Sequence, residues 1–172
     1  PKLEGAYGLP PREASLLPNI IEAPPAPIVK SERPRVLFLG RLDPYKRPWI
    51  LVDLARRFRH VEFQLAGHPH FTGPGGWEPR DLPPNVRLLG HVDGEEKRRA
   101  LVSSWILVNT SIHEGLAVSF LEALACATPI VSGEDPDGLV SRFGACVGRW
   151  SGTGLEGLPR WAAALERLLA DA

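Results

Sequence analysis

A chain of 172 residues that is 44% hydrophobic and 23% charged has the length and apolar content of one globular domain with a substantial core. Lys plus Arg balance Asp plus Glu at 20 each, for a net charge of zero, so no global field draws the chain toward nucleic acid or an anionic surface, and any anion it takes must be held locally. No apolar run approaches the roughly 20 residues that span a bilayer, and no charged-then-apolar leader opens the chain, so a cytoplasmic location is expected.

In chain order, the opening stretch to about Arg33 is rich in Pro and weak in periodicity, the pattern of a linker or of the end of a preceding domain. The folded unit is therefore expected over residues 34–172. From Arg35 onward short runs of Val, Leu, Ile and Phe alternate with amphipathic segments, as in a parallel sheet covered by helices on both faces. The runs predict strands at Val36–Leu39, Val61–Ala66, Val86–Leu89, Ile106–Asn109, Pro129–Ser132 and Ala145–Val147. Helices are predicted at about Pro48–Arg59, Glu95–Ser104, Leu116–Ala125, a short one near Leu139, and Leu158–Ala170. Pro48 suits a first helical position, where its missing N–H costs nothing. The fold class is α/β, a doubly wound parallel sheet of Rossmann-like form, in which ligands bind beyond the carboxyl ends of the strands.

The loops after strands therefore carry the candidate chemistry. After the first strand, Gly40 permits a close turn and is followed by Arg41 and Lys46, two cations able to clamp a diphosphate, one as a fork and one as a point charge. Taken alone they also fit two solvated surface charges. After the fourth strand comes Ser111-Ile-His-Glu-Gly-Leu-Ala-Val-Ser-Phe-Leu-Glu122. A helix start there would turn the free N–H groups of Gly115, Leu116 and Ala117 toward an anion. Glu114 and Glu122 stand eight residues apart, roughly 12 Å if the segment is nearly all helical, so an extended ligand would use both. Glu114 could otherwise serve as an N-terminal charge. Glu122 is a poor surface residue, since Phe120, Leu121, Ala123 and Leu124 around it are apolar.

At these residues the sequence resembles the retaining glycosyltransferases of the GT-B fold, in the group called family four. Their C-terminal domain has a Gly-Arg turn after the first strand, a Lys five residues beyond the Arg, and two Glu separated by seven residues, matched here by Gly40-Arg41, Lys46, Glu114 and Glu122. The resemblance runs from about Leu17, because Leu17-Pro18-Asn19 is similar to the passage from that family's first domain to its second. It implies one half of a GT-B architecture, with the N-terminal acceptor-binding domain missing. By that resemblance Arg41 and Lys46 hold the donor diphosphate, Glu114 contacts the transferred sugar and Glu122 the ribose hydroxyls. Gly115, Leu116 and Ala117 offer backbone groups, while Gly90, His91 and Val92 lie near the base.

The implied activity is transfer of a sugar from a nucleoside diphosphate donor (UDP, GDP or ADP) to a hydroxyl acceptor with retention, the chain alone binding donor weakly and turning nothing over. No metal or cofactor is implied, and membrane contact would come through the missing half. The remaining alternative is a non-catalytic nucleotide-sugar-binding or interaction domain, which has no use for Glu114. The chain departs from the family pattern at Ala127, where a glycine usually ends the helix, so that turn is expected to differ. His68 and His70 invite a metal reading, but no carboxylate or Cys completes a recognisable set. Glu95 to Arg99 reads as a solvated helix face with a Glu95–Arg99 pair. Cys126 and Cys146 lack metal-ligand spacing and are expected as buried, reduced thiols. No phosphate-cradling Gly-Lys-Ser and no dinucleotide glycine fingerprint appears, against a nucleotidase or a dehydrogenase.

Overall fold

A computed structural model of the chain describes residues 5, 8, 19–24, 27–71, 73 and 75–171. Leu17 and Pro18 lie outside the described residues. Strands β1 (Arg35–Leu39), β2 (Glu62–Ala66), β3 (Val86–Gly90), β4 (Ile106–Asn109), β5 (Ile130–Ser132) and β6 (Gly144–Cys146) form one sheet in the order β3-β2-β1-β4-β5-β6. Every pairing is parallel. The chain winds outward from β1 on one side and returns to lay β4 on the other, so a crevice opens between the loops that follow β1 and β4.

The strands are apolar because both faces are covered. Successive side chains point to opposite faces, and along β1 this sends Val36 and Phe38 into one core and Leu37 into the other. Ile106 and Val108 against Leu107 repeat the division in β4. Helices α1 (Pro48–Arg57) and α5 (Leu158–Ala170) cover the first face with Ile50, Leu54, Trp161 and Leu165. The second face is covered by α2 (Gly94–Ser103), α3 (Val118–Ala125) and α4 (Leu139–Phe143), which supply Leu101, Phe120 and Val140. The long loop after β2 contributes Trp77 and Leu82 to the edge of the first core. No helix among the described residues is long and apolar enough to cross a membrane.

Several boundaries differ from the sequence expectation, each for a local reason. α1 stops at Arg57 because Phe58 leaves the helical conformation and donates its N–H back to Leu54 O. Its free carbonyl end is capped by Asn85, whose Nδ2 lies 2.9–3.0 Å from the carbonyls of Ala55, Phe58 and Val61. α3 begins at Val118 rather than Leu116, because Ala117 is extended at φ −64 and ψ 133. Its other end is built as a glycine turn would be, against expectation. Ala127 adopts the left-handed conformation at φ 50, its N–H reaches Leu124 O at 3.0 Å, and that of Thr128 reaches Ala123 O at 2.9 Å, the paired bonds of a Schellman motif. Cys126 and Cys146 are both free, but only Cys126 is buried. Alternation along β6 sends Ala145 inward and leaves Cys146 pointing away from the core, which corrects that expectation.

The segment before β1 is fastened to the domain. Ser31 donates its N–H to Ser103 O at 3.0 Å and accepts the Trp105 indole N–H at 2.8 Å. Lys30 Nζ donates to Cys126 O at 2.9 Å and to Thr128 Oγ1 at 2.7 Å, at the carbonyl end of α3, where a cation is favoured. Burial lowers the Lys30 ammonium to about 8, against a smaller opposing effect of Cys126.

Candidate functional site

The crevice floor is stitched from backbone. Gly40 N–H donates to Ala66 O at 3.0 Å, Leu42 N–H to His68 O at 3.0 Å, and Gly67 N–H to Gly90 O at 2.6 Å. The loops that leave β1, β2 and β3 are thus tied in one row. The approach is close enough that a Cβ on Gly67, at φ 146, would sit 1.9 Å from Gly40 O, so only glycine fits there. On the other side, Ile112 N–H donates to Tyr45 O at 2.9 Å, and Thr110 Oγ1 donates at 2.5 Å to Lys46 O or at 3.0 Å to Arg47 O. The loop carrying Arg41 and Lys46 is therefore braced from both sides of the sheet.

Onto this floor the structure brings Lys46 and Glu114, 68 residues apart in sequence, as an ion pair with side chains 20% and 13% exposed. Glu114 Oε1 also accepts the Ser111 hydroxyl at 2.7 Å and the Asn109 amide at 3.3 Å. Asn109 in turn is fixed by accepting the Ser111 N–H at 3.2 Å. Every one of these bonds falls on Oε1, and none of the described donors engages Oε2. Burial alone would raise the Glu114 carboxyl. The hydrogen bonds from Lys46 and Ser111, the Lys46 charge and the Asn109 amide outweigh it and hold the group below the usual carboxylate range.

The other expected site residues are placed less tightly. Arg41 is 55% exposed and turns its Nε to Asp43, 3.3 Å away and almost fully buried. Among the described contacts nothing joins it to Lys46 or Glu114. Gly115 and Leu116 are exposed and belong, with Ala117, to the turn ahead of α3 rather than to its first turn. Only the later part of the interval from Glu114 to Glu122 is helical, so the length expected of a continuous helix does not apply. Glu122 stands inside α3, paired at 2.5 Å with Lys97 of α2. Gly90 closes β3 at φ 72, His91 is exposed and Val92 is buried. The His91 ring lies edge-on to His68 at 5.6 Å, and His68 lies 6.1 Å from His70. No group of three or more His, Cys, Asp or Glu able to hold a metal ion occurs among the described residues.

Four neighbours of the site escaped sequence reasoning. The sequence places Lys97 on a solvated face, yet it bridges two helices, and Glu95 of that run pairs with Arg98 rather than Arg99. Asp43 holds Arg41. Arg47, buried and left-handed at φ 48, donates to the carbonyls of Trp150 and Gly152 at 2.7 and 2.9 Å, which anchors the start of α1. Glu134, whose side chain is 4% exposed, takes Arg149 at 2.6 Å and lies 3.7 Å from His113 Nδ1. The sequence marked its loop as following a strand, but gave no sign which of Glu134, Asp135 and Asp137 turns inward.

A doubly wound parallel sheet with its polar groups gathered in the switch-point crevice is the architecture of one Rossmann-like half of a GT-B protein. The lipopolysaccharide outer core galactosyltransferase WaaB in its apo form superposes with a TM-score of 0.70 at 16% identity, over 99% of this chain and 50% of that one. The pneumococcal O-GlcNAc transferase GtfA in complex with UDP and GlcNAc gives 0.61 at 14% identity, over 83% and 30%. The sequence profile of the family Glycosyl transferases group 1 matches residues 33–171, and the chain belongs to that family. A D-inositol 3-phosphate glycosyltransferase of Mycolicibacterium smegmatis is 32% identical over 154 residues, 79% of this chain and 35% of that protein. The enzyme of that name from Kineococcus radiotolerans is 31% identical over 201 residues, 96% and 46%. This chain thus spans between a third and a half of the length of these relatives.

Proposed function

We propose that this chain is the donor-binding half of a retaining glycosyltransferase, which takes a hexose from a nucleoside diphosphate and passes it to a hydroxyl acceptor held by an N-terminal half. The reading is carried by the Lys46–Glu114 pair at the switch point, with one Glu114 oxygen saturated and the other without a described donor. A sugar hydroxyl donating to Oε2 would be fixed in direction, because Ser111 and Asn109 already prevent the carboxylate from turning. Lys46 would then lie beside the sugar–phosphate bond, where negative charge gathers on the leaving phosphate as the bond breaks. Arg41, exposed in the same loop, would swing from Asp43 to the diphosphate.

In this reading side-chain cations and the amides around Gly115 to Ala117 supply the charge stabilisation without a metal. Gly90, His91 and Val92 border the base, and Glu122 accepts from the ribose. Relatives and structural neighbours support the chemistry by analogy, including the UDP bound to the pneumococcal enzyme. The protein acts in the cytoplasm, and any contact with a membrane comes through the other half.

Thermal unfolding with UDP, GDP and ADP tests the reading. One of the three should stabilise the chain, by about 2.7 kcal/mol when present at about 100 times its dissociation constant. Lys46→Ala and Arg41→Ala should each remove most of that stabilisation. No response to any of the three at millimolar concentration, or a response that both variants retain in full, overturns it.

A further inference from the structure

Resting on the ribose assignment of Glu122, we infer that Lys97 is a positioning residue that makes the site selective for ribonucleotides over their 2′-deoxy counterparts. The cation comes from α2 and the carboxylate from α3, and their 2.5 Å contact, with side chains 32% and 20% exposed, spans the gap between the helices. The pair borders a cavity of about 560 Å³ that residues 20–24 also line, within the usual volume of small-molecule sites. Apolar Leu101 and Val118 line the same cavity beside Glu122. The neighbouring cation Arg98 is engaged elsewhere, donating to Glu95 at 2.7 Å through Nε. Lys97 is the ion-pair partner that Glu122 has among the described residues.

The consequence lies in which oxygen is held. Lys97 donates to Oε1, which pins the carboxylate at that oxygen and leaves Oε2 without a described donor in a residue that lines the cavity. An unpinned glutamate in mid-helix can rotate to accept from whichever hydroxyl a ligand still carries, and it then tolerates the loss of one. A pinned oxygen cannot follow, so a ligand lacking the 2′-hydroxyl leaves it without a donor. An acceptor largely withdrawn from water, as Glu122 is at 20% exposure, and left unpaired disfavours an analogue that lacks one hydroxyl.

Calorimetric titration of the chain with UDP, GDP and ADP, and with the 2′-deoxy form of whichever binds, tests this. The wild type should prefer the ribonucleotide by roughly tenfold, the expected effect of one such hydrogen bond. Lys97→Met should bring that preference to about twofold or less, Lys97→Arg should retain most of it, and Glu122→Ala should lose it. An ion pair that merely joins two helices would shift the melting temperature of Lys97→Met and leave the preference untouched. If Lys97→Met keeps the full preference while Glu122→Ala loses it, Lys97 has no such role and the ribose assignment stands. If the wild type binds both forms equally, or no nucleotide binds, the ribose assignment falls and this inference with it.

Discussion

Glu114 gathers three donors on one oxygen, and that arrangement has a pH signature. Its carboxyl sits below the ordinary value because its hydrogen bonds and the Lys46 charge outweigh burial. A carboxyl lowered by folding contributes stability that is fully present above the unfolded value of about 4.3 and is lost as pH falls through the folded value. Melting temperature followed from pH 7 to pH 3 should therefore drop less steeply at the acid end in Glu114→Gln than in the wild type, after allowance for a constant offset. Parallel curves would show that the pair does not hold the proton off. At this scale the sequence names candidate residues and is silent about their contacts. Arg41, Lys46, Glu114 and Glu122 stand out by their match to the family pattern, but the Lys46–Glu114 pair joins positions 68 apart. The pull of Asp43 on Arg41 depends on a backbone turn that no residue pattern announces.

Helix ends show where element-level reading loses its grip. Apolar periodicity locates α1, α2, α3 and α5 within a residue or two, yet both ends of α3 are decided by single dihedrals. An extended Ala117 delays its start. A left-handed Ala127 closes it, although alanine pays roughly 1–2 kcal/mol for that conformation. Glycine adopts it freely but gives up more entropy on folding. Ala127→Gly should therefore stabilise the chain by about 0.5–1 kcal/mol, seen as a higher urea midpoint at unchanged slope. A lower midpoint would mean that the methyl group contributes packing that outweighs its strain. The cap that Asn85 places on α1 was equally hidden, since it comes from the loop ahead of β3 and satisfies carbonyls some 24 to 30 residues upstream.

For the molecule as a whole, the sheet was legible because strands covered on both faces must be apolar throughout, and right-handed crossovers then leave few ways to wind them. The edges were less so, since β3 is half-exposed and β6 is only three residues long. On the proposed reading the acceptor is held by an N-terminal half and not by this chain. The chain alone should consequently bind the nucleoside diphosphate and release no sugar to an acceptor, whereas fusion to the N-terminal half of a close relative should restore transfer from the radiolabelled donor. Turnover by the chain alone would show that the acceptor site is contained within it.

The fastening of Lys30 has a mechanical side. Its ammonium grips the carbonyl end of the helix that carries Glu122, so a displacement of the backbone at Lys30 is delivered to that helix as well as to β1. On the proposed reading that helix borders the ribose, so the same grip would couple the backbone ahead of β1 to the occupancy of the nucleotide site.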